Sequence, residues 1–293
     1  MKVFYSDEYV AMAHSVDATK KPQWVAESLG ETPIPGVQLA SPEPVTADQL
    51  HRIHSPEYIT AVKTGRPRRL AQSSTFPWDT GLWTAELASC GGMVSAAQCA
   101  LDEGVAGSLS VGFHHARQDQ GSGHCIFNGL ALAICALHDQ GLSRILCIDL
   151  DAHCGGGTYS IAGSLPGYRQ LDVSLFPTDR YQPVAPSTLD MVDSKAAYLK
   201  TIERRLAEAE PEAAGIQWAV YYAGMDPHEG SAFGGMPGFD ARLLEARDRL
   251  VFEWLAEWKI QCAWAIGGGY LGPGLERPGL VALHRTTIEL AAS

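Results

Sequence analysis

The stretch from Arg144 to Gly157 reads RILCIDLDAHCGGG, an apolar run followed by two aspartates, a histidine and three glycines. A continuous apolar run of this kind is typical of a strand buried on both faces of a parallel sheet. Because side chains alternate along an extended chain, Asp149, Asp151 and His153 share one face, at about 7 Å per two-residue step. The stretch therefore predicts a central strand with polar chemistry at its carboxyl end.

Similar apolar runs recur along the chain, and most are followed by a loop and a helical pattern. The predicted strands are Lys2–Tyr5, Ser108–Phe113, Arg144–Asp151, Gln170–Leu175, Trp218–Ala223, Cys262–Ile266 and Leu280–His284. The predicted helices are Gly81–Glu103, Phe127–Gln140, Ser194–Glu210 and Asp240–Lys259. This alternation predicts an α/β fold in a single domain over residues 1–293, with a central, mostly parallel sheet and helices on both faces. The Pro-rich stretch 32–44 is expected to be a surface loop.

The polar residues best suited to chemistry follow the ends of predicted strands. They are His114 and His115, the segment Asp149–His153, Asp226 and Tyr270. In an open parallel sheet, ligands bind outside the carboxyl ends of the strands. Segments far apart in the sequence are therefore expected to meet in one site.

A metal site is the first hypothesis for this edge of the sheet. Aspartate oxygen and histidine nitrogen are both good zinc ligands, and a catalytic zinc usually takes three protein ligands and leaves one position open. A bend after the strand would bring Asp151 and His153 onto one cation, and Asp226 is the natural third ligand. The alternative is that Asp149 and Asp151 cap the turn at the triple glycine.

Acid–base chemistry is the second hypothesis. A histidine titrates near neutral pH, so His114 or His115 could take a proton from water and return it to a leaving amine. The hydroxyl of Tyr270 could donate to a developing oxyanion. The alternatives are a surface histidine pair and a core tyrosine after a flexible turn.

Composition narrows the classes of partner. The formal net charge of −11 makes nucleic acid a poor partner, because such binding depends on neutralising phosphates. A cationic amine, such as a polyamine or a lysine side chain, suits this charge better. The seven cysteines include no CxxC pair, which favours buried thiols in a reducing compartment. No secretory signal or membrane-spanning run is visible, so a cytoplasmic protein without a membrane partner is expected. A homo-oligomer remains open.

Together these residues resemble the histone-deacetylase-like family, which includes the acetylpolyamine amidohydrolases and has the arginase/deacetylase fold. The resemblance rests on motifs over most of the chain: His54-Ser55-Pro56-Glu57-Tyr58, Phe113-His114-His115-Ala116, Gly123-His124-Cys125-Ile126-Phe127-Asn128, Asp149-Leu150-Asp151-Ala152-His153, Gly157-Thr158, Ala223-Gly224-Met225-Asp226 and Gly267-Gly268-Gly269-Tyr270. The chain length and Phe76-Pro77-Trp78 look most like the short bacterial deacetylases similar to class IV.

The resemblance implies a zinc-dependent deacetylase that cleaves an acyl group from an amine with a metal-activated water. Zinc, with iron(II) as the alternative in the cell, would be held by Asp151, His153 and Asp226. His114 and His115 would be the acid–base pair, Asp149 would orient His114, and Tyr270 would polarise the carbonyl.

The resemblance also implies a structural potassium site and a narrow acyl pocket. Potassium would be bound by Asp149, Ser174 and Leu175, and the pocket would be lined by Gly123, His124, Cys125 and Gly268. His124 replaces the family's usual phenylalanine, which predicts a more polar pocket. Gly156 stands where the family usually has an Asp or Asn beside the second histidine, so His115 would need another partner. Ser231-Ala232 replaces a common Asp-Pro, and the segment around His14 matches poorly.

Three other functions remain open. Asp151-Ala152-His153 echoes a signature of binuclear-manganese ureohydrolases, but the aspartate that would bridge a second metal is replaced by Gly155. A binding or scaffold member of the same fold would explain the glycine at 156. A cysteine hydrolase could use Cys125 or Cys154. The sequence leaves the physiological amine and the acyl length undecided.

Overall fold

The computed structural model describes residues 1–12, 17–213 and 215–293. Its strands are β1 (Lys2–Phe4), β2 (Gln38–Ala40), β3 (Val105–Ser108), β4 (Ile145–Asp149), β5 (Tyr168–Ser174), β6 (Thr188–Met191), β7 (Trp218–Gly224) and β8 (Gln261–Gly267). Its helices are α1 (Asp17–Glu31), α2 (Ala47–Leu50), α3 (Pro56–Thr64), α4 (Arg68–Ala71), α5 (Gly81–Glu103), α6 (Gly129–Asp139), α7 (Gly156–Ala162), α8 (Lys195–Ala213), α9 (Ala241–Glu257) and α10 (Arg277–Ala291), with a 3₁₀ helix at Asp7–Val10. None of the helices described is long and apolar enough to cross a membrane.

The strands form one eight-stranded sheet in the order β2-β1-β3-β8-β7-β4-β5-β6. Every pairing is parallel. The carboxyl ends of all strands therefore lie at one edge of the sheet. The predicted α/β fold with a parallel sheet is confirmed.

The two faces of the sheet pack against separate apolar cores, as expected for a sheet covered on both sides. Cys147 and Val220 contribute to a core with α5 and α6. Ile148 and Tyr221, each one residue further along its strand, contribute to a core with α8 and α9. The alternation of side chains explains why these strands read as continuous apolar runs.

Two of the predicted strands differ from the structure. The predicted strand Leu280–His284 is wrong, because these residues lie inside α10, where buried side chains recur at helical spacing. A short apolar run does not by itself distinguish a strand from a buried helix. The predicted strand Ser108–Phe113 shares only Ser108 with β3. Beyond it Ser110 donates to a main-chain oxygen of α5, and Gly112 adopts a φ of +77°.

Two short edge strands were not predicted. The Pro-rich stretch 32–44 contains β2, and β6 lies at the opposite edge of the sheet. Each has only three or four residues, too few to show a pattern in the sequence. His14, in the poorly matched segment, lies outside the described residues.

Candidate active site at the carboxyl edge of the sheet

The loops that follow β4 and β7 are joined to each other by hydrogen bonds. The Ala152 N–H donates to Asp226 Oδ1 at 3.0 Å, which joins the two loops. The N–H of Asp151 donates to Asp149 Oδ1 at 3.2 Å, and that of His153 donates to Asp151 Oδ1 at 3.0 Å. Asp149 and Asp151 therefore cap the bend from Asp151 to His153, whereas at the triple glycine the N–H of Gly155 donates to Asp172 Oδ2 at 2.8 Å. Capping leaves other carboxylate oxygens free to face a shared centre.

Three potential metal ligands converge at that centre. His153 Nδ1 lies 3.2 Å from Asp151 Oδ1 and 3.0 Å from Asp226 Oδ2. One ligand atom from each residue lies within 4.8 Å of the other two, the only such group of three among the residues described. Both carboxylates are almost fully buried, and the imidazole is partly buried.

The electrostatics of this group fit a divalent cation. Burial and the neighbouring Asp151 raise the pKa of Asp226, so two anions at this depth need positive charge nearby. Burial alone would lower the pKa of His153, but hydrogen bonds to both carboxylates outweigh it and raise that pKa to about 11. Two carboxylates and one imidazole are also a donor set that zinc accepts.

Two glycines allow the backbone to lie against these carboxylates. A Cβ atom on Gly268 would overlap the carboxyl group of Asp226. A Cβ atom on Gly224 would lie 2.5 Å from Asp151 Oδ2. A side chain at either position would displace a proposed ligand. Gly224, the last residue of β7, and Gly268, the first residue after β8, therefore belong to the site.

The two adjacent histidines have different carboxylate partners. His114 Nδ1 lies 3.0 Å from Asp149 Oδ2, with both side chains buried. His115 Nδ1 lies 3.2 Å from Asp179 Oδ2, on the loop after β5. The rings of His114 and His115 are 3.9 Å apart between centroids. Both histidines are equally buried, so exposure does not distinguish their roles.

The pKa values of the two carboxylates shift in opposite directions. Burial and the nearby Asp151 raise the pKa of Asp149 well above its usual range. Burial opposes ionisation of Asp179 as well, but hydrogen bonds from His115 and Arg117 outweigh it and lower its pKa. Burial and the neighbouring His114 lower the pKa of His115, which favours a neutral imidazole able to accept a proton.

Tyr270 lies in the same cavity as His114, His115 and His153. Its N–H donates to Ser231 Oγ at 3.2 Å, and its carbonyl accepts from Ala232 N at 3.2 Å. Burial raises the pKa of the phenol, which therefore stays protonated and able to donate at neutral pH. The Ser231-Ala232 pair thus has a structural part in holding this tyrosine.

The residues predicted to bind substrate also line this cavity: Gly123, His124, Cys125 and Gly268. The imidazole of His124 stacks on Phe76 with ring centroids 4.9 Å apart, and its backbone has a φ of +65°. A Cβ atom at Gly123 would overlap the ring of His115. Phe233, with 56% of its surface exposed, lies 5.2 Å from Tyr270 between ring centroids and forms an apolar rim.

The three residues predicted for potassium lie at the ends of β4 and β5. Asp149 is paired in register with Asp172, whose carboxylate accepts a hydrogen bond from Ser174 Oγ. The N–H of Leu175 donates to the carbonyl of Ala152 at 2.9 Å. Burial, together with Asp149, raises the pKa of Asp172 to about 8. Binding of potassium stays a prediction.

Four functional candidates were not found from the sequence: Asp179, Asp172, Lys21 and Glu86. Lys21 is fully buried, and its Nζ donates to the carbonyl of Gly268 and, at 3.3 Å, to that of Gly267. Burial raises the pKa of Glu86 to about 8, and Glu86 lines the same cavity. Charged residues in a helix normally lie on a solvated face, so the sequence carried no signal for Lys21 or Glu86.

The two candidate nucleophilic cysteines are buried. Burial raises the pKa of Cys125 well above its usual range and, with Asp172, raises that of Cys154 to about 12. Thiols held in the protonated form are poor nucleophiles. Burial of both thiols therefore disfavours the cysteine-hydrolase hypothesis.

Comparison with known proteins gives the class that this fold and site define. The histone deacetylase domain model matches residues 15–279. The chain therefore belongs to the histone deacetylase family. It is 32% identical to an uncharacterised protein of Picosynechococcus sp. over 75% of each chain.

Two relatives with a named activity are more distant or match over a shorter segment. Histone deacetylase 2 of Arabidopsis thaliana is 26% identical over 78% of this chain and 63% of its own length. A probable deacetylase of Methanothermobacter thermautotrophicus is 36% identical over 43% of this chain and 38% of its own length. The chain thus matches less than two thirds of the length of either relative. Membership of this family supports a deacetylase, that is, a hydrolase.

Proposed function

We propose that this protein is a zinc-dependent amidohydrolase that removes an acetyl or other acyl group from an amine such as acetyl-lysine or an acetylpolyamine. The observation that carries the proposal is a single cavity lined by Asp151 and His153 of the three-ligand cluster, by two histidines that are each paired with a carboxylate behind them, and by a phenol. Each component matches one requirement of amide hydrolysis: charge stabilisation, proton transfer and an oxyanion donor.

The chain would hold the ion through Asp151, His153 and Asp226, and the ion would supply Lewis acidity toward the carbonyl and the attacking water. Other groups belong to the protein itself. The Tyr270 hydroxyl donates to the carbonyl oxygen as negative charge develops there. Its raised pKa keeps the proton available throughout the neutral range.

Proton transfer is assigned to His115. Its Nδ1 bonds Asp179, so Nε2 is the nitrogen left to face the substrate. Nε2 accepts a proton from the attacking water and returns it to the amine as the C–N bond breaks. His114, bonded to Asp149, lies against the ring of His115 and helps to hold it in place. The products are a carboxylic acid and a free amine.

Charge and aromatic contacts at the cavity suit a flexible cationic amine. The net charge of −11 suits a cationic amine, and the rim formed by His124 and Phe233 provides aromatic faces for a methylene chain. The binuclear-manganese alternative is weakened because a Cβ at Gly155 would overlap Asp149, which leaves no room for a bridging aspartate.

The direct test is hydrolysis of acetyl-lysine peptides, acetylpolyamines and longer acyl-lysines by the protein with zinc or iron(II) added. We expect release of acid and amine with about one metal ion per chain, inhibited by a hydroxamate. Two manganese ions per chain with arginine-like substrates would favour the ureohydrolase. Failure to hydrolyse any acyl length would favour a scaffold.

A further inference from the structure

We propose that Asp179 is the positioning residue for His115, and that Arg117 and the glycine at 156 are what allow it to act from a distant loop. The inference deepens the proposed function, because it assigns the partner of the proton-transferring histidine. It rests on contacts made by the loop after β5, which supplies none of the proposed zinc ligands.

Both carboxylate oxygens of Asp179 are engaged. Oδ2 lies 3.2 Å from His115 Nδ1 and accepts a hydrogen bond of 2.8 Å from the N–H of Gly157. Oδ1 accepts a hydrogen bond from Arg117 Nη2. Only 9% of the Asp179 side chain is exposed, so water does not compete strongly for these positions. The carboxylate is therefore fixed in direction as well as in position.

Gly156 makes this approach possible. A Cβ atom at residue 156 would overlap the main-chain oxygen of Asp179 and would lie 2.9 Å from its Cγ. Any side chain at 156 would push the loop away from His115. The missing side chain at Gly156 and the carboxylate of Asp179 therefore belong to one arrangement. It gives His115 a partner in place of the Asp or Asn that the family usually has at 156.

The backbone of Asp179 is itself in an uncommon conformation. Its φ of +60° lies in the left-handed region, where Asp and Asn are the most tolerated residues after Gly. The N–H of Cys154 donates to the carbonyl of Thr178 at 3.1 Å, which ties the loop to the segment after β4. Non-glycine residues keep such angles only where surrounding contacts demand it.

The contacts define the protonation pattern of His115. An ionised carboxylate only accepts, so Nδ1 must carry the hydrogen and Nε2 must hold the lone pair. Arg117, whose side chain is one third exposed, adds a positive charge on the far side of the carboxylate and keeps it ionised. The chain of groups Arg117–Asp179–His115 therefore sets the tautomer that can accept a proton from water.

The test compares Asp179→Asn with the wild type. Asparagine tolerates the φ of +60° and can still accept from Gly157, but its amide group no longer requires a hydrogen on Nδ1. We expect kcat to fall at least on the order of a hundredfold, because a positioned general base contributes about 10²–10⁴-fold, while KM, metal content and thermal midpoint change little. A purely structural role would instead lower the thermal midpoint and leave kcat per folded molecule unchanged.

A matched control is Asp190→Asn. Asp190 also accepts hydrogen bonds from arginines, Arg204 and Arg205, but lies away from the cavity. We expect wild-type kcat in this control. A second variant, Asp179→Gly, keeps the backbone angle without strain and removes the carboxylate. Added formate is expected to raise the turnover of Asp179→Gly at least tenfold.

A measurement without turnover separates this inference from the proposed function. Nitrogen-15 NMR of labelled histidine, with the His115 signals assigned by loss in His115→Ala, reports the tautomer directly. We expect the Nδ1–H form in the wild type and a different tautomer mixture in Asp179→Asn. A changed tautomer with no hydrolysis of any substrate would uphold the positioning role and reject the activity. An unchanged tautomer, or unchanged kcat, would overturn the positioning role.

Discussion

His153 Nδ1 lies 3.0 Å from Asp226 Oδ2, although 73 residues separate them in the chain. The contact joins the loops after two adjacent strands, β4 and β7. Removal of either partner would leave the metal cluster with two of its three ligands. Asp226 is the simplest ligand to test, because it is the one that the loop after β7 supplies.

Asp226→Ala is expected to lose the metal ion. Loss of one of three ligands should weaken zinc affinity more than about a hundredfold, since removal of outer partners alone costs about 10–100-fold. Metal content measured by mass spectrometry after dialysis should fall from about one ion per chain to near zero. Asp193→Ala, at an exposed position, is the control and should keep its metal. Wild-type metal content in Asp226→Ala would contradict the ligand assignment.

Tyr270→Phe is expected to fold, bind metal and lose turnover. Removal of one oxyanion donor costs about 10²–10³-fold in kcat, whereas the Tyr270 backbone contacts with Ser231 and Ala232 are untouched. Steady-state kinetics should show a fall in kcat with little change in KM. If turnover stays within a few-fold of wild type, the phenol has no part in the reaction.

Metal affinity is expected to rise with pH. The two carboxylates raise the pKa of His153 to about 11, so a proton must leave the imidazole before a cation can take its place. Between pH 5.5 and 7.5, both below that pKa, the apparent association constant should increase about tenfold per pH unit if one proton is released. Competition titration with a chelator of known pH dependence measures it. A flat profile would show that His153 binds no proton here.

Lys21→Met is expected to destabilise the fold. The substitution keeps the length of the side chain but leaves the carbonyl oxygens of Gly267 and Gly268 without their donor. An unsatisfied buried polar group costs about 1–3 kcal/mol in the free energy of unfolding. Lys20→Met is the matched control, because Lys20 is the exposed neighbour on the same helix, and it should change stability by less than about 0.5 kcal/mol. Urea unfolding compares them, and equal effects would contradict the buried role of Lys21.

Gly156→Ala and Gly30→Ala are expected to have opposite effects. The added Cβ at 156 would overlap the Asp179 backbone, so overpacking should cost about 1–3 kcal/mol of unfolding free energy and lower kcat as the loop moves. The added Cβ at Gly30, in α1, meets nothing within 4 Å and should stabilise by up to about 1 kcal/mol. Thermal and urea unfolding decide between them. A neutral Gly156→Ala would mean that the loop yields easily.

Sequence patterns predicted the parts of the molecule whose physics is local. The long helix Gly81–Glu103 was predicted with the bounds that the structure shows, because its apolar pattern continues through Gly91 and Gly92 and meets no proline. The central strands were predicted within a few residues, since strands buried on both faces read as unbroken apolar runs. From these strand ends, the sequence also indicated that Asp151, His153 and Asp226 would come together.

Residues that reach the site only through tertiary packing could not be predicted from sequence patterns. Nothing near Asp179 in the sequence points to His115, which lies 64 residues away. Lys21 follows another lysine in a polar helix, and only the packing of that helix against the loop after β8 buries it. Leu280–His284 was misassigned because five apolar-rich residues fit a strand and a buried helix equally well.

The place of β8 in the sheet constrains how the protein can be made. β8 is the last of the described strands in the sequence, yet it pairs with β3 on one side and β7 on the other. Until residue 267 has left the ribosome, the sheet can exist only as two separate pieces with open strand edges, which are prone to unwanted pairing. Shortened chains that stop before β8 should therefore aggregate, because each half of the sheet would keep an edge that only β8 can cover.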